Sequence, residues 1–224
     1  MNMHDDEDHS RDGHDHHDDH SHDPITNEAD SSLFAVRETA IRTLLIEKGV
    51  FTADELRQQV EMMAERSPAL GAKVVARAWV DAEYKARLLA DGETAIQELG
   101  LETMHTSKIV AVENTNVTHN VIVCTLCSCY PIAILGRPPA WYKSLAYRSR
   151  VVANPRPVLE EFGLPLANDV EVRVHDSTAD IRYLVIPQRP EGTEDLSEDA
   201  LAGLVTRDSM IGVALAQSPQ GVTS

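Results

Sequence analysis

All three cysteines of this 224-residue chain fall within six residues, Cys124-Thr125-Leu126-Cys127-Ser128-Cys129. No other feature restricts the fold as much. Three sulfurs on so short a segment converge only if the loop turns tightly about one point, and the rest of the chain must hold that loop. An odd, tightly clustered set is not a disulfide framework. In a reducing compartment such a cluster points to metal binding or redox chemistry. Thiolates suit soft or borderline ions. Structural zinc wants four closed ligands, and His119, five residues before Cys124, is the candidate for a fourth. Iron–sulfur clusters usually take four cysteines, which the chain lacks. Three inert, buried cysteines fit poorly beside polar Thr125 and Ser128. The pattern alone leaves structural zinc and a less usual metal site both open.

The loop follows a change in character along the chain. Before it, Leu33, Val36, Ala40, Leu44 and Leu45 fall at helical spacing, with Gly49 as a C-terminal stop. Thr52 and Glu55 form the pattern of a capping box ahead of a helix running through Met63. Two more helices are expected over 72–80 and 84–89, the second capped by Asp81. Short β-branched runs at 108–112 and 120–123 read as strands, and the cysteines follow the second directly. Beyond them, 138–152 reads as one helix with proline near its first turn. A short helix over 157–162 closes at Gly163, strands are expected at 170–174 and 181–186, and Ser197 caps a last helix running to about Val205. Helices first and a mixed body after give an α+β fold, an N-terminal helical arm followed by a layered strand-and-helix body. With only 4% aromatic residues, the core is expected to rest on Leu, Ile, Val and Ala.

The formal charge is −16, and residues 1–23 supply −8 of it, with eight Asp and one Glu against one Arg. The remaining acidic balance argues against nucleic acid as a partner, because phosphate binding needs a basic surface. Seven of the ten His also lie in this tail. Its composition cannot bury enough apolar surface to offset ordering entropy, so residues 1–24 are expected to be disordered. A metal-scavenging or chaperone-contact role is the sharper alternative. No run approaches the roughly 20 apolar residues of a membrane helix. The acidic N-terminus has neither the basic nor the apolar region of a secretory signal, so no membrane partner and a cytoplasmic location are expected.

The segment Val123-Cys124-Thr125-Leu126-Cys127-Ser128-Cys129-Tyr130-Pro131 resembles the claw motif of nitrile hydratase α subunits. Flanking segments are similar in order, among them 71–79, 139–144, 147–152, 189–193 and 205–212, so the resemblance spans about 30–215. It implies that a metal is held by the sulfurs of Cys124, Cys127 and Cys129 and by the backbone amides of Ser128 and Cys129. It also implies that Cys127 becomes a sulfinic acid and Cys129 a sulfenic acid, the first rungs of cysteine oxidation, while Cys124 stays a thiolate. The catalytic assignments that follow are Cys129, Cys127 and Ser128, the Ser128 hydroxyl hydrogen-bonding near the metal. Thr125 and Tyr130 match the cobalt type, which implies one Co(III) per chain, with Fe(III) as the alternative.

Two positions depart from the family. Ile132 stands where Trp is common, with Ala133 following in place of Pro, and His105 stands at about the place of a pocket Gln. Losing an indole empties space beside the site, so the expectation is a substrate pocket at His105 and Ile132 suited to a bulky nitrile.

By resemblance the partners are a nitrile hydratase β subunit, in a heterodimer or α2β2 heterotetramer, and a cobalt-loading activator protein. The β subunit would supply arginines to the oxidised sulfurs. Residues 25–100 are expected to form the helical arm and helices that pack on that subunit, 101–215 the metal-binding catalytic body, and 216–224 a flexible C-terminus. The related thiocyanate hydrolase metal-binding subunit, which shares the claw and often a His-rich N-terminus, is the sibling reading. A non-catalytic zinc or metal-storage protein, suggested by the tail and the cysteines, is the reading from another class.

Overall fold

The computed structural model describes residues 31–103 and 107–219. The acidic tail and His105 therefore lie outside the described residues. Helix α1 (Ser31–Glu47) stops as expected at Gly49, which has φ +67°. Helix α2 (Ala53–Glu65) starts on the full Thr52–Glu55 capping box, each residue bonding the other's backbone. Neither helix is packed into a core. Phe34, Val36 and Ile41 of α1 are 64%, 66% and 59% exposed, and α2 has no buried residue.

The body begins with α3 (Pro68–Val80), whose Ala72, Val74, Val75, Ala76 and Ala78 are all buried. Each buried valine stabilises the fold by about 1.5–3 kcal/mol. Asp81 caps α4 (Ala82–Ala90) by accepting the Tyr84 amide at 2.9 Å. Asp91 does the same for α5 (Gly92–Glu98) through Thr94.

Four strands follow: β1 (Lys108–Glu113), β2 (Thr118–Val123), β3 (Glu171–Asp176) and β4 (Ile181–Ile186). Sequence neighbours do not pair. Instead β1 runs parallel to β4 and β2 parallel to β3. Parallel pairing requires a long crossover, usually helical, and the one from β2 to β3 carries the cysteine loop and four helices. These are α6 (Ile132–Leu135), α7 (Ala140–Lys143), α8 (Leu145–Ala153) and α9 (Pro155–Glu161). The single helix expected over 138–152 is thus two. Ser144 has extended backbone and caps α8 by accepting the Tyr147 amide at 3.1 Å, which breaks the run. The final expected helix is shorter, α10 (Glu198–Ala202) capped by Ser197, and a further helix beyond it, α11 (Arg207–Ile211), is capped by Thr206.

A buried polar junction ties the two ladders together. The Asn114 side-chain oxygen accepts the backbone and side-chain N–H groups of Asn120, at 2.8 and 2.9 Å. Asn120 in turn faces His175 Nε2 at 2.8 Å. His119 Nε2 lies 2.7 Å from the Gly212 carbonyl and Nδ1 lies 3.2 Å from the Asn114 amide. Those partners define a neutral ring that donates from Nε2 and accepts at Nδ1. Gly212 has φ +92°, and a Cβ there would sit 1.9 Å from the Asn120 oxygen, so only glycine allows α11 this close to β2.

Candidate metal centre

The cysteine loop leaves the C-terminal end of β2, and Asp176 ends β3 directly beside it, in register with Val123. Strand ends on the carboxyl side of parallel ladders are where such folds build sites. The three sulfurs converge there: their ligand atoms all lie within 4.8 Å of one another. Cys127 Sγ is 3.5 Å from Cys124 Sγ and 3.1 Å from Cys129 Sγ. Cys124 is buried, Cys129 intermediate and Cys127 exposed, so the cluster is closed below and open above. Leu126 at its tip is 85% exposed.

The sulfurs differ electrostatically. Hydrogen bonds from the Cys129 and Cys124 thiols, then from the Cys129 and Ser128 backbone amides, pull the Cys127 thiol down to about 7. Burial first, and the bond with Cys127 second, push Cys129 up to about 12. The Cys127 amide donates to the Cys124 sulfur at 3.3 Å, so one backbone N–H of the loop faces the cluster.

Both ends of the loop are held. Asp176 accepts the Thr125 amide at 2.9 Å and its hydroxyl at 2.6 Å. Arg148 on α8 donates to the Cys124 carbonyl at 3.0 Å and the Thr125 carbonyl at 2.5 Å. Tyr142 donates its hydroxyl to the Cys129 carbonyl at 2.9 Å, and Tyr147 donates to Ile122 at 2.7 Å. Around these two tyrosines stack Tyr130, Trp141 and Phe162, with ring centroids 4.7–6.2 Å apart and mostly edge-to-face. Half of the chain's ten aromatic residues thus form the floor of one loop. The core rests mainly on Leu, Ile, Val and Ala, as expected, and the few aromatic residues concentrate beneath this loop.

Of the residues singled out from sequence, the fold brings Cys124, Cys127, Ser128 and Cys129 together. Ile132 opens α6 three residues on from Cys129 and is half-buried against the core. His119 does not complete a zinc site, since both its ring nitrogens are engaged by Gly212 and Asn114. Arg148, Tyr142 and Asp176 went unassigned. Asp176 reads in the sequence as the start of a turn, and only the parallel β2–β3 register reveals that it meets the loop.

The class that fold and loop together define is a chain offering one metal ion three convergent sulfurs from the carboxyl end of a parallel strand. Residues 32–214 match the family described as "Nitrile hydratase, alpha chain", and the chain belongs to that family. It is 48% identical over 202 residues to the low-molecular weight cobalt-containing nitrile hydratase subunit alpha of Rhodococcus rhodochrous, covering 89% of this chain and 98% of that subunit. It is 43% identical over 196 residues to the thiocyanate hydrolase subunit gamma of Thiobacillus thioparus, covering 82% and 80%. Among solved structures, an Fe-type nitrile hydratase double mutant from Comamonas testosteroni Ni1 superposes with a TM-score of 0.81 at 42% identity, covering 88% and 96%. Both curated relatives are named as subunits. No described helix is long and apolar enough to cross a membrane.

Proposed function

We propose that this chain is the metal-carrying subunit of a nitrile hydratase, adding water across the C≡N bond of a nitrile to give the amide. The observation that carries this reading is the convergence of three sulfurs within 4.8 Å, on a chain that shares the nitrile hydratase family over nearly its whole described length. The residues fit a metal: three soft sulfur donors lie close enough for one ion, and the Cys127 amide already points at the Cys124 sulfur.

Cys124, Cys127 and Cys129, with the Ser128 and Cys129 amide nitrogens, would hold the ion. Cobalt is favoured by Thr125 and Tyr130 and by the cobalt-containing relatives, whereas the Fe-type neighbour keeps iron as the alternative. Trivalent cobalt supplies Lewis-acid chemistry at neutral pH. Cys124, buried beneath the loop, acts as the unmodified thiolate anchor. Cys127 and Cys129, on the open side, are the residues that carry oxygen, as sulfinic and sulfenic acid, and the Cys129 oxygen serves as nucleophile or base. Ser128 lies between them and orients that side of the site.

The open face requires a second chain. Cys127 and Leu126 are exposed beside one another, and a β subunit bearing arginines would cover them and pair with the oxidised sulfurs. Among the described residues the arm over 31–65 leaves its apolar side chains uncovered, and it is the second surface for that subunit. The exposed arm supports the division into arm, body and C-terminal segment, although α3 to α5, within the expected 25–100 unit, pack in the core of the body, and a cobalt-loading activator completes the proposed set of partners.

Ile132 supports a finer reading, a pocket for a bulky nitrile. It is a medium-sized side chain three residues after Cys129, at the start of α6, where the family resemblance expects an indole. The thiocyanate hydrolase alternative rests on the gamma-subunit match. The zinc-storage alternative gains no support from any relative. Turnover of acrylonitrile, a bulky heteroaromatic nitrile and thiocyanate by the purified complex separates these. Amide from the heteroaromatic nitrile at a rate equal to or above that from acrylonitrile is expected. Strong preference for acrylonitrile removes the bulky-substrate reading, and turnover of thiocyanate alone removes the nitrile one.

A further inference from the structure

Thr125, between the first and second cysteines, is gripped from two sides by groups of opposite charge. The Asp176 carboxylate takes both of its donors, the amide at 2.9 Å and the hydroxyl at 2.6 Å. The Arg148 guanidinium takes the acceptors, the carbonyls of Cys124 and Thr125 at 3.0 and 2.5 Å. Both groups come from rigid elements. Asp176 is the last residue of β3, and the next residue donates its amide to Val123 at 2.7 Å. Arg148 follows fully buried Tyr147, whose hydroxyl pins α8 to β2. Tyr142 holds the far end of the loop at the Cys129 carbonyl.

The sulfurs supply the reason for such a grip. They sit 3.1 and 3.5 Å apart along the series, and as thiolates they repel one another. An unheld loop relieves that repulsion by splaying, and must then lose conformational entropy when an ion gathers it. A loop fixed at 124–125 and at 129 has only residues 126–128 left to move.

We propose that Asp176 and Arg148 are positioning residues: together they clamp Thr125 so that the three sulfurs are gathered before the metal arrives, and the ion enters a preformed site. This rests on the reading that the cysteines hold a metal. It goes beyond that reading by assigning metal capture to side chains that touch no sulfur. Charge-assisted bonds are about twice as strong as neutral ones, which suits a clamp at a partly open surface. The Thr125 hydroxyl is its most separable part. Serine preserves the bond, whereas valine keeps the shape and removes it.

The test uses the complete complex with its partner subunit, prepared metal-free, and supplies limiting cobalt(II) chloride together with the cobalt-loading activator. The proteins compared are the parent, Asp176→Asn, Arg148→Lys, Thr125→Val and Thr125→Ser. Bound cobalt is measured over time together with the thermal midpoint of each metal-free complex. Thr125→Ser is expected to match the parent. The other three are expected to take up cobalt roughly tenfold or more weakly, to recover in excess cobalt, and to keep the parent's thermal midpoint. Parent-like cobalt uptake by all three overturns the clamp, and so does a loss that merely follows the unfolded fraction. If Asp176→Asn and Arg148→Lys fail to fold, the valine–serine pair at position 125 decides alone. A parent complex that takes up no cobalt overturns the metal reading itself, and the clamp with it.

Discussion

The helical arm and the body obey different rules. In the body, apolar periodicity and burial agree: α3 presents Val74 and Val75 to the interior and both are fully buried. In the arm the same periodicity yields a helix whose Phe34, Val36 and Ile41 remain in solvent. Capping and helix-forming residues suffice to give α1 and α2 their shape, since the Thr52–Glu55 box is local. A helix of this length draws most of its stability from packing an apolar face, and among the described residues nothing covers that face. The body buries its own apolar faces, whereas the arm's are the ones the proposed partner subunit would cover. The cysteine loop combines both conditions, with Cys124 buried in the body and Cys127 open to a partner.

That contrast can be broken or sharpened in several ways. The largest effect is expected at the loop. Cys127→Ala in the full complex should cut nitrile hydration by on the order of a thousandfold, because several kcal/mol of metal-derived stabilisation is at stake, while the thermal midpoint of the metal-free body holds. Parallel loss of activity and fold would mean that the loop is structural.

Next in size, deleting residues 1–65 should leave the body folded but weaken association with the partner subunit. Burying two arm side chains at about 1.5 kcal/mol each corresponds to roughly a hundredfold in Kd. Unchanged association would show that the arm serves another purpose.

Within the body, Gly212→Ala places a Cβ 1.9 Å from the Asn120 oxygen at φ +92°. A loss of at least about 1–3 kcal/mol is expected from backbone strain alone, read from denaturant unfolding of the metal-free chain. The equivalent change at Gly49, where a Cβ would meet nothing within 4 Å, should cost less because no packing opposes it.

The smallest effect concerns pH. Burial lowers the pKa of His119 and of His175 below the ordinary imidazole value. The unfolded chain then binds protons first as pH falls, so the stability that these neutral rings contribute is full above about pH 6.5 and is lost as pH drops toward their lower folded values. Unfolding curves between pH 7 and pH 5 should show a shallower pH dependence in His119→Gln than in the parent. An identical slope would remove His119 as a cause.

Much of this was legible in advance. The caps at Thr52, Asp81 and Ser197, the stop at Gly49 and the four strand positions are local signals, and each lies where the sequence puts it. The cysteine spacing likewise announces a convergent loop, because six residues leave no other way for three sulfurs to meet. What sequence cannot carry is pairing. Nothing in four short β-branched runs says that β2 lies beside β3, and Asp176 matters only because of that register. The break at Ser144 was hidden for a different reason: Pro138 to Val152 keeps helical composition throughout, and one capping serine outweighs it. The tyrosine floor under the loop is hidden by averaging over the whole chain: Tyr130, Tyr142 and Tyr147 lie close in sequence but on separate short elements, and meet only once these fold.

The central claim is that this loop is a modified metal site and not a zinc staple or a store. Mass and metal analysis of the complex purified with its partner subunit from cobalt-supplied cells tests it most directly. The account expects one cobalt per chain and a gain of three oxygen atoms confined to the peptide holding residues 124–129, two on Cys127 and one on Cys129. Zinc with three unmodified thiols would contradict it.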